Sequence, residues 1–158
     1  MSKFNTADLC DNHKLSIARP IFKSFGANTH CYGQIKTVEA IEDNSYVKKL
    51  LQKNGTGCVM VIDGHASNKC ALVGDNLAAI AADNNWSGII VNGCIRDSLE
   101  INNIPISIKA LNLVPNKSKK KGIGKYGVEI SLAGIIFRED EYVYSDPDGI
   151  VVSTTKII

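Results

Sequence analysis

Residues 71–100, ALVGDNLAAIAADNNWSGIIVNGCIRDSLE, place an alanine-rich segment and two polar turns around two short apolar runs. That spacing suits one supersecondary unit: strand, turn, helix, strand, turn. Ala71, Leu72 and Val73 stop at Gly74-Asp75-Asn76, where glycine and two short polar side chains suit a tight exit and a helix N-cap. Leu77, Ala78, Ile80 and Ala81 then recur at three- and four-residue offsets in a window of high helix propensity, which predicts a helix ending near Asn84-Asn85. Ile89-Ile90-Val91 is a β-branched run without alternation, the pattern of a parallel strand buried on both faces, and Asn92-Gly93 is expected to close it.

A right-handed β-α-β crossover sends both strands the same way, so the turns after them emerge at one edge of the sheet. Gly74-Asp75-Asn76 and Arg96-Asp97 are therefore expected side by side at the carboxyl edge, where open α/β sheets commonly hold ligands. Two carboxylates, a guanidinium and the free amides of a helix N-terminus suit an anionic substrate and a hard metal ion. The same residues also read as an N-cap and a surface ion pair, and spacing alone does not separate the two.

Asp75, twenty intervening residues, Arg96-Asp97, two more residues and Glu100 form the pattern D-x20-R-D-x2-E. With GDNLAA and VNGCIRD around it, this resembles the 4-hydroxy-4-methyl-2-oxoglutarate aldolases, metal-dependent class II pyruvate aldolases related to the regulator of ribonuclease E activity A. The resemblance covers most of the chain. It implies an α/β chain with the layered β/β/α swivelling-domain fold around the central β-α-β unit, and ring-shaped homotrimers with sites between subunits. It further implies cleavage of 4-hydroxy-4-methyl-2-oxoglutarate to pyruvate, decarboxylation of oxaloacetate, and Mg²⁺ or Mn²⁺ as cofactor.

By that resemblance Asp97 would bind the metal and Arg96 would contact the pyruvyl oxygens of a small 2-oxo acid substrate as its enolate forms. Gly74 and the amides of Asp75, Asn76 and Leu77 would hold the substrate carboxylate, and Asp75 would position a water that shuttles protons. Glu100, three residues after Asp97 on a short helical turn, would face the same side and orient water around the metal. Regulators in this superfamily lack that last acid, so Glu100 favours the enzyme over the second reading, a non-enzymatic inhibitor that binds ribonuclease E.

At 158 residues the chain has the length of one domain, 1–158, enough to bury a core without disulfide staples. Its 44% hydrophobic and 22% charged residues exclude disordered and fibrous classes, and a formal charge of +2 predicts no direct nucleic-acid partner. Five cysteines lie far apart without C-x2-C spacing, so they read as reduced thiols, with Cys94 a small apolar filler. No apolar run has signal-peptide or membrane-spanning character, which predicts a cytoplasmic location and no membrane partner.

Around the central unit the sequence predicts a short helix after Asn5, and a strand over 31–38 with Gly33 at a bulge or close approach. A helix capped by Asn44-Ser45 follows, burying Val47, Leu50 and Leu51, then a central strand over 57–62. Asp63 beyond it reads as a crevice residue or an Asx turn, and His65 is not part of the motif. Pro105 marks a strand start or a sheet edge. Residues 115–127, with five lysines, read as a mobile solvated loop, and 128–130, 135–137, 142–144 and 150–152 as short strands of a mixed sheet.

Overall fold

The computed structural model describes residues 3–158. Helix α1, Thr6–Asn12, starts where the Asn5 side chain accepts the Asp8 amide at 2.7 Å. Two short strands that carry no sequence pattern, β1 (Ser16–Ile17) and β2 (Lys23–Phe25), precede β3 (Cys31–Glu39). A Cβ on Gly33 would lie 2.5 Å from the Gly57 carbonyl oxygen, so this glycine marks a close approach. Asn44 is the N-cap of helix α2 (Ser45–Leu51) but makes no side-chain capping bond; Asp43, one residue earlier, accepts the Ser45 amide on its Oδ1 at 2.9 Å. Asn44 instead turns its amide to the Leu72 carbonyl, at 3.1 Å.

The central unit follows as β4 (Cys58–Asp63), β5 (Ala71–Val73), α3 (Asp75–Asp83) and β6 (Gly88–Ile95), then α4 (Ser98–Ile101) and β7 (Ser107–Leu113). Asn92-Gly93 does not close β6 as expected. The strand pairs with β4 as far as Asn92, passes an irregularity in its ladder with β7 between Val91 and Cys94, and continues with β5 from Cys94. β4 ends at Asp63 and β5 supplies a fresh partner, so the backbone groups of β6 stay paired past the glycine. Pro105 lies before β7, which pairs on both sides, so it marks a start and not an edge.

After β8 (Lys125–Tyr126), β9 (Ile130–Leu132) and β10 (Ile135–Phe137) form a separate hairpin, and β11 (Tyr142–Asp146) and β12 (Gly149–Ser153) return to the main sheet. The order there is β1-β12-β11-β3-β4-β6-β7-β2, parallel from β3 to β7 and antiparallel outside. Val59 and Val61 of β4 and Ile90 of β6 pack with Phe137, Val143 and Ile150 on one face. Met60, Ile62, Ile89 and Val91 pack with Leu51, Ala78 and Ala81 on the other. Helices cover one face and β strands the other, the expected β/β/α layering.

Three strands separate β7 from β11 in the sheet, yet Lys109 Nζ of β7 donates to the Asp146 carbonyl and to Ser24 Oγ of β2, each at 2.7 Å. The sheet curls far enough for one buried ammonium to join its β7–β2 end to β11, across those three strands. Burial pushes the Lys109 ammonium below its ordinary value, against the pull of Asp146. Burial would raise the Asp146 carboxyl, but bonds from the Thr6 amide and hydroxyl and from the Asp148 and Gly149 amides hold it below its usual value.

A depressed folded-state value means this carboxylate contributes fully above its unfolded value of about 3.9, and the contribution is lost as pH falls through the folded value. Asp146→Asn turns an amide against those donors and should cost about 1–3 kcal/mol. Urea melts from neutral pH downward should also show a flatter acid limb for the variant. Equal acid dependence in both proteins would mean that Asp146 does not carry it.

Candidate functional site

The two polar turns meet. Gly74, the N-cap of α3, leaves the helix to start at Asp75, so Asp75 and Asn76 are its first residues and not its cap. The Arg96 amide donates to the Val73 carbonyl at 3.1 Å, which draws the exit of β6 against that of β5. Asp97 Oδ2 then accepts the Asp75 amide at 3.1 Å and stands 3.8 Å from Arg96 Nε. A Cβ on Gly74 would lie 2.7 Å from that oxygen, so a side chain there would push the carboxylate from this position. Asp97 reaches it from a left-handed backbone, φ 61°, which aspartate tolerates better than most residues.

Gly74, Asp75, Asn76, Leu77, Arg96 and Asp97 all line one crevice of about 150 Å³. Glu100 does not. It is an exposed residue of α4 outside the crevice lining, so it makes no direct contact with a ligand held there.

The walls are completed by residues that sequence reasoning left out: Asn44 and Lys48 at the start of α2, and Lys117, Ser118 and Lys120 from the lysine-rich segment. That segment is not a mobile loop. The Ala71 amide donates to the Asn116 carbonyl at 2.8 Å, Ser118 is buried, and Asp43 Oδ2 accepts the Lys121 amide at 2.7 Å. Its composition shift was the available signal, but long-range partners decide that the chain is pinned. Arg96, Lys48, Lys117 and Lys120 face Asp75 and Asp97 across the crevice, four cations against two carboxylates, an excess suited to a dianion.

All five cysteines are free, and Cys94 is buried behind the site, where burial pushes its thiol up. It is packing, as expected. Asp63 forms the Asx turn, accepting the His65 amide at 2.9 Å, and does not line the crevice. For a divalent ion in the crevice the donor set fits: among the described residues no donor reaches Asp97 Oδ1, and its side chain is 35% exposed. One carboxylate oxygen completed by water and substrate oxygens is a Mg²⁺-type arrangement. Among the described residues no helix is long and apolar enough to cross a membrane.

Known proteins match this chain over nearly its whole length. A protein from Methylococcus capsulatus named "Putative 4-hydroxy-4-methyl-2-oxoglutarate aldolase" is 48% identical, over 99% of both chains. The solved structure of an S-adenosylmethionine: 2-dimethylmenaquinone methyltransferase from Geobacillus kaustophilus is 40% identical with a TM-score of 0.95, covering 98% of this chain and 97% of that one. The RNA-processing inhibitor RraA from Thermus thermophilis is 33% identical with a TM-score of 0.96, covering 99% and 96%. The family model described as RraA-like, Aldolase/RraA, matches residues 6–152. By sequence and by fold, the chain belongs to the RraA-like family.

Proposed function

We propose that this protein is a divalent-metal-dependent lyase that cleaves 4-hydroxy-4-methyl-2-oxoglutarate into two pyruvates and decarboxylates oxaloacetate. The observation that carries this is the crevice itself: a carboxylate with one oxygen unengaged among the described residues, set between a helix N-terminus and Arg96, inside an excess of cations. Its volume, about 150 Å³, is below the roughly 300–1,000 Å³ of pockets for drug-sized ligands. That suits a small 2-oxo acid better than a nucleoside-sized methyl donor. Names of relatives agree with the aldolase reading.

Both reactions break a carbon–carbon bond beside a 2-oxo acid and leave the enolate of pyruvate. A Mg²⁺ or Mn²⁺ ion held by Asp97 would supply Lewis-acid stabilisation of the negative charge on the enolate oxygen. The Arg96 guanidinium, always charged, steadies the same oxygens from the side. At the N-terminus of α3 the Asp75 amide already holds one carboxylate, Asp97, and the Asn76 amide another, the Asp75 side chain at 2.8 Å. A substrate carboxylate joins at Gly74 and Leu77 and competes for those amides. Lys117 and Lys120 meet the second carboxylate of a dicarboxylic substrate. Asp75 positions the water that removes the hydroxyl proton and returns one to the enolate carbon. Glu100 has no direct contact with substrate. We place the active assembly in a homotrimer, as the family resemblance implies.

The second reading, an inhibitor that binds ribonuclease E, is favoured by one observation: Glu100, the acid that marks the enzymes, stands outside the crevice. Pyruvate release separates the two. If the wild-type protein releases none from either 2-oxo acid with Mg²⁺ or Mn²⁺ present while still inhibiting the ribonuclease, the lyase assignment falls.

Asp97→Asn should abolish metal-dependent pyruvate release while the melting temperature changes little, since the side chain is part of no core. Near wild-type turnover at low metal would remove Asp97 as the ligand. Lys117→Ala with Lys120→Ala should lower kcat/KM for oxaloacetate by roughly ten- to a hundredfold, the scale of a lost charged hydrogen bond. Unchanged kinetics would return the segment to a purely structural role.

A further inference from the structure

A second group of ligand-type side chains lies outside the crevice, at the ends of β3 and β4. The two strands are parallel and in register, with Glu39 opposite Asp63, so both finish side by side at one edge. The chain then folds back and lays the His65 imidazole over them. One ligand atom from each of Glu39, Asp63 and His65 lies within 4.8 Å of the others.

Two observations set this group apart from an ordinary surface ion pair. His65 Nε2 stands 3.4 Å from Glu39 Oε2 and 3.5 Å from Asp63 Oδ2. A charge-assisted N–H···O bond closes to about 2.7–2.9 Å, so neither distance is a good hydrogen bond. Both instead match the edge of a tetrahedron around a zinc-sized ion. Bonds of about 2.1 Å place neighbouring ligand atoms about 3.4 Å apart. The second observation concerns Asp63, which is only 9% exposed. Its Oδ1 is held by the His65 amide at 2.9 Å and the Asn92 side-chain amide at 3.0 Å. Its Oδ2 receives no hydrogen bond among the described residues and points at the imidazole. Metal-binding carboxylates are oriented in this way, by donors on the oxygen that does not bind.

We infer that Glu39, Asp63 and His65 form a second metal site, for a borderline divalent ion of the Zn²⁺ class. One imidazole and two carboxylates suit such an ion, and the two negative charges balance a dication. The Glu39 and His65 side chains are 33% and 48% exposed, which leaves an entry path and an open fourth position for water. The site is independent of the lyase assignment, because none of its three residues lines the crevice.

Zn²⁺ and Co²⁺ alone, added to the full chain, test this in an Asp97→Asn background that removes the crevice carboxylate. That protein should bind one Zn²⁺ per chain and give the intense visible absorption of four-coordinate Co²⁺. His65→Gly, which accepts the φ of 54° at that position, should weaken Zn²⁺ binding at least tenfold and abolish the Co²⁺ signal. Glu39→Gln should do the same, and the metal-free melting temperature of each variant should match its parent. Equal Zn²⁺ affinity with and without His65, or no Zn²⁺ binding in the Asp97→Asn protein, would leave only a histidine–carboxylate contact and overturn the site.

Discussion

Everything in this molecule depends on β4 and β6 being buried on both faces. A strand so placed cannot leave a backbone group unpaired, and it must find apolar neighbours above and below. Helices α2 and α3 supply one side, through Leu51, Ala78 and Ala81, and the curled β strands supply the other, through Phe137, Val143 and Ile150. β6 outlasts β4, and β5 takes over the pairing from Cys94 onward. That handover brings the exit of β5 against the exit of β6, so the hydrogen-bonding need of one long strand assembles the crevice.

Electrostatics then works on what the backbone has arranged. The helix N-terminus attracts a negative group, and the protein presents its own Asp97 carboxylate there, at 3.1 Å from the Asp75 amide. The approach is open because Gly74 carries no side chain. Lysines from a distant part of the chain enter the same space because Asp43 accepts the Lys121 amide and the Asn44 amide donates to the Lys119 carbonyl. Asp43 serves α2 and the lysine-rich segment together, which couples the helix layer to the crevice wall.

The closure of the sheet follows a different logic. Lys109 and Asp146 are buried polar groups that would destabilise the fold if unpaired; Lys109 bonds to Ser24 and the Asp146 carbonyl, and the Asp146 carboxylate takes Thr6 from far away in sequence beside the nearby Asp148 and Gly149 amides. Their bonds tie β7 and β2 to β11, and β11 to α1, across the curled sheet. Directional bonds decide the shape here, and apolar burial supplies the driving force.

How much of this was legible in the sequence can be seen from particular residues. Leu77, Ala78 and Ala81 are buried as helical spacing requires, and Ile89-Ile90-Val91 is buried on both faces as its missing alternation requires. Periodicity and turn chemistry are local, so the β-α-β unit and the meeting of Gly74 with Asp97 were determined by the sequence alone. The short strands β1, β2 and β8 have no such pattern. The run past Asn92-Gly93 contradicts turn chemistry, because β5 offers the strand a partner that no local rule contains. Glu100 is exposed and lies outside the crevice lining, a placement that the spacing D-x20-R-D-x2-E does not encode. Lys117 and Lys120 came to the crevice through bonds to Asp43, Asn44 and Ala71, residues more than forty positions away. The sequence by itself determined the elements and the chemical groups at the sheet edge, while only the tertiary structure decided which of them share one space, because that depends on pairings between segments with no sequence proximity.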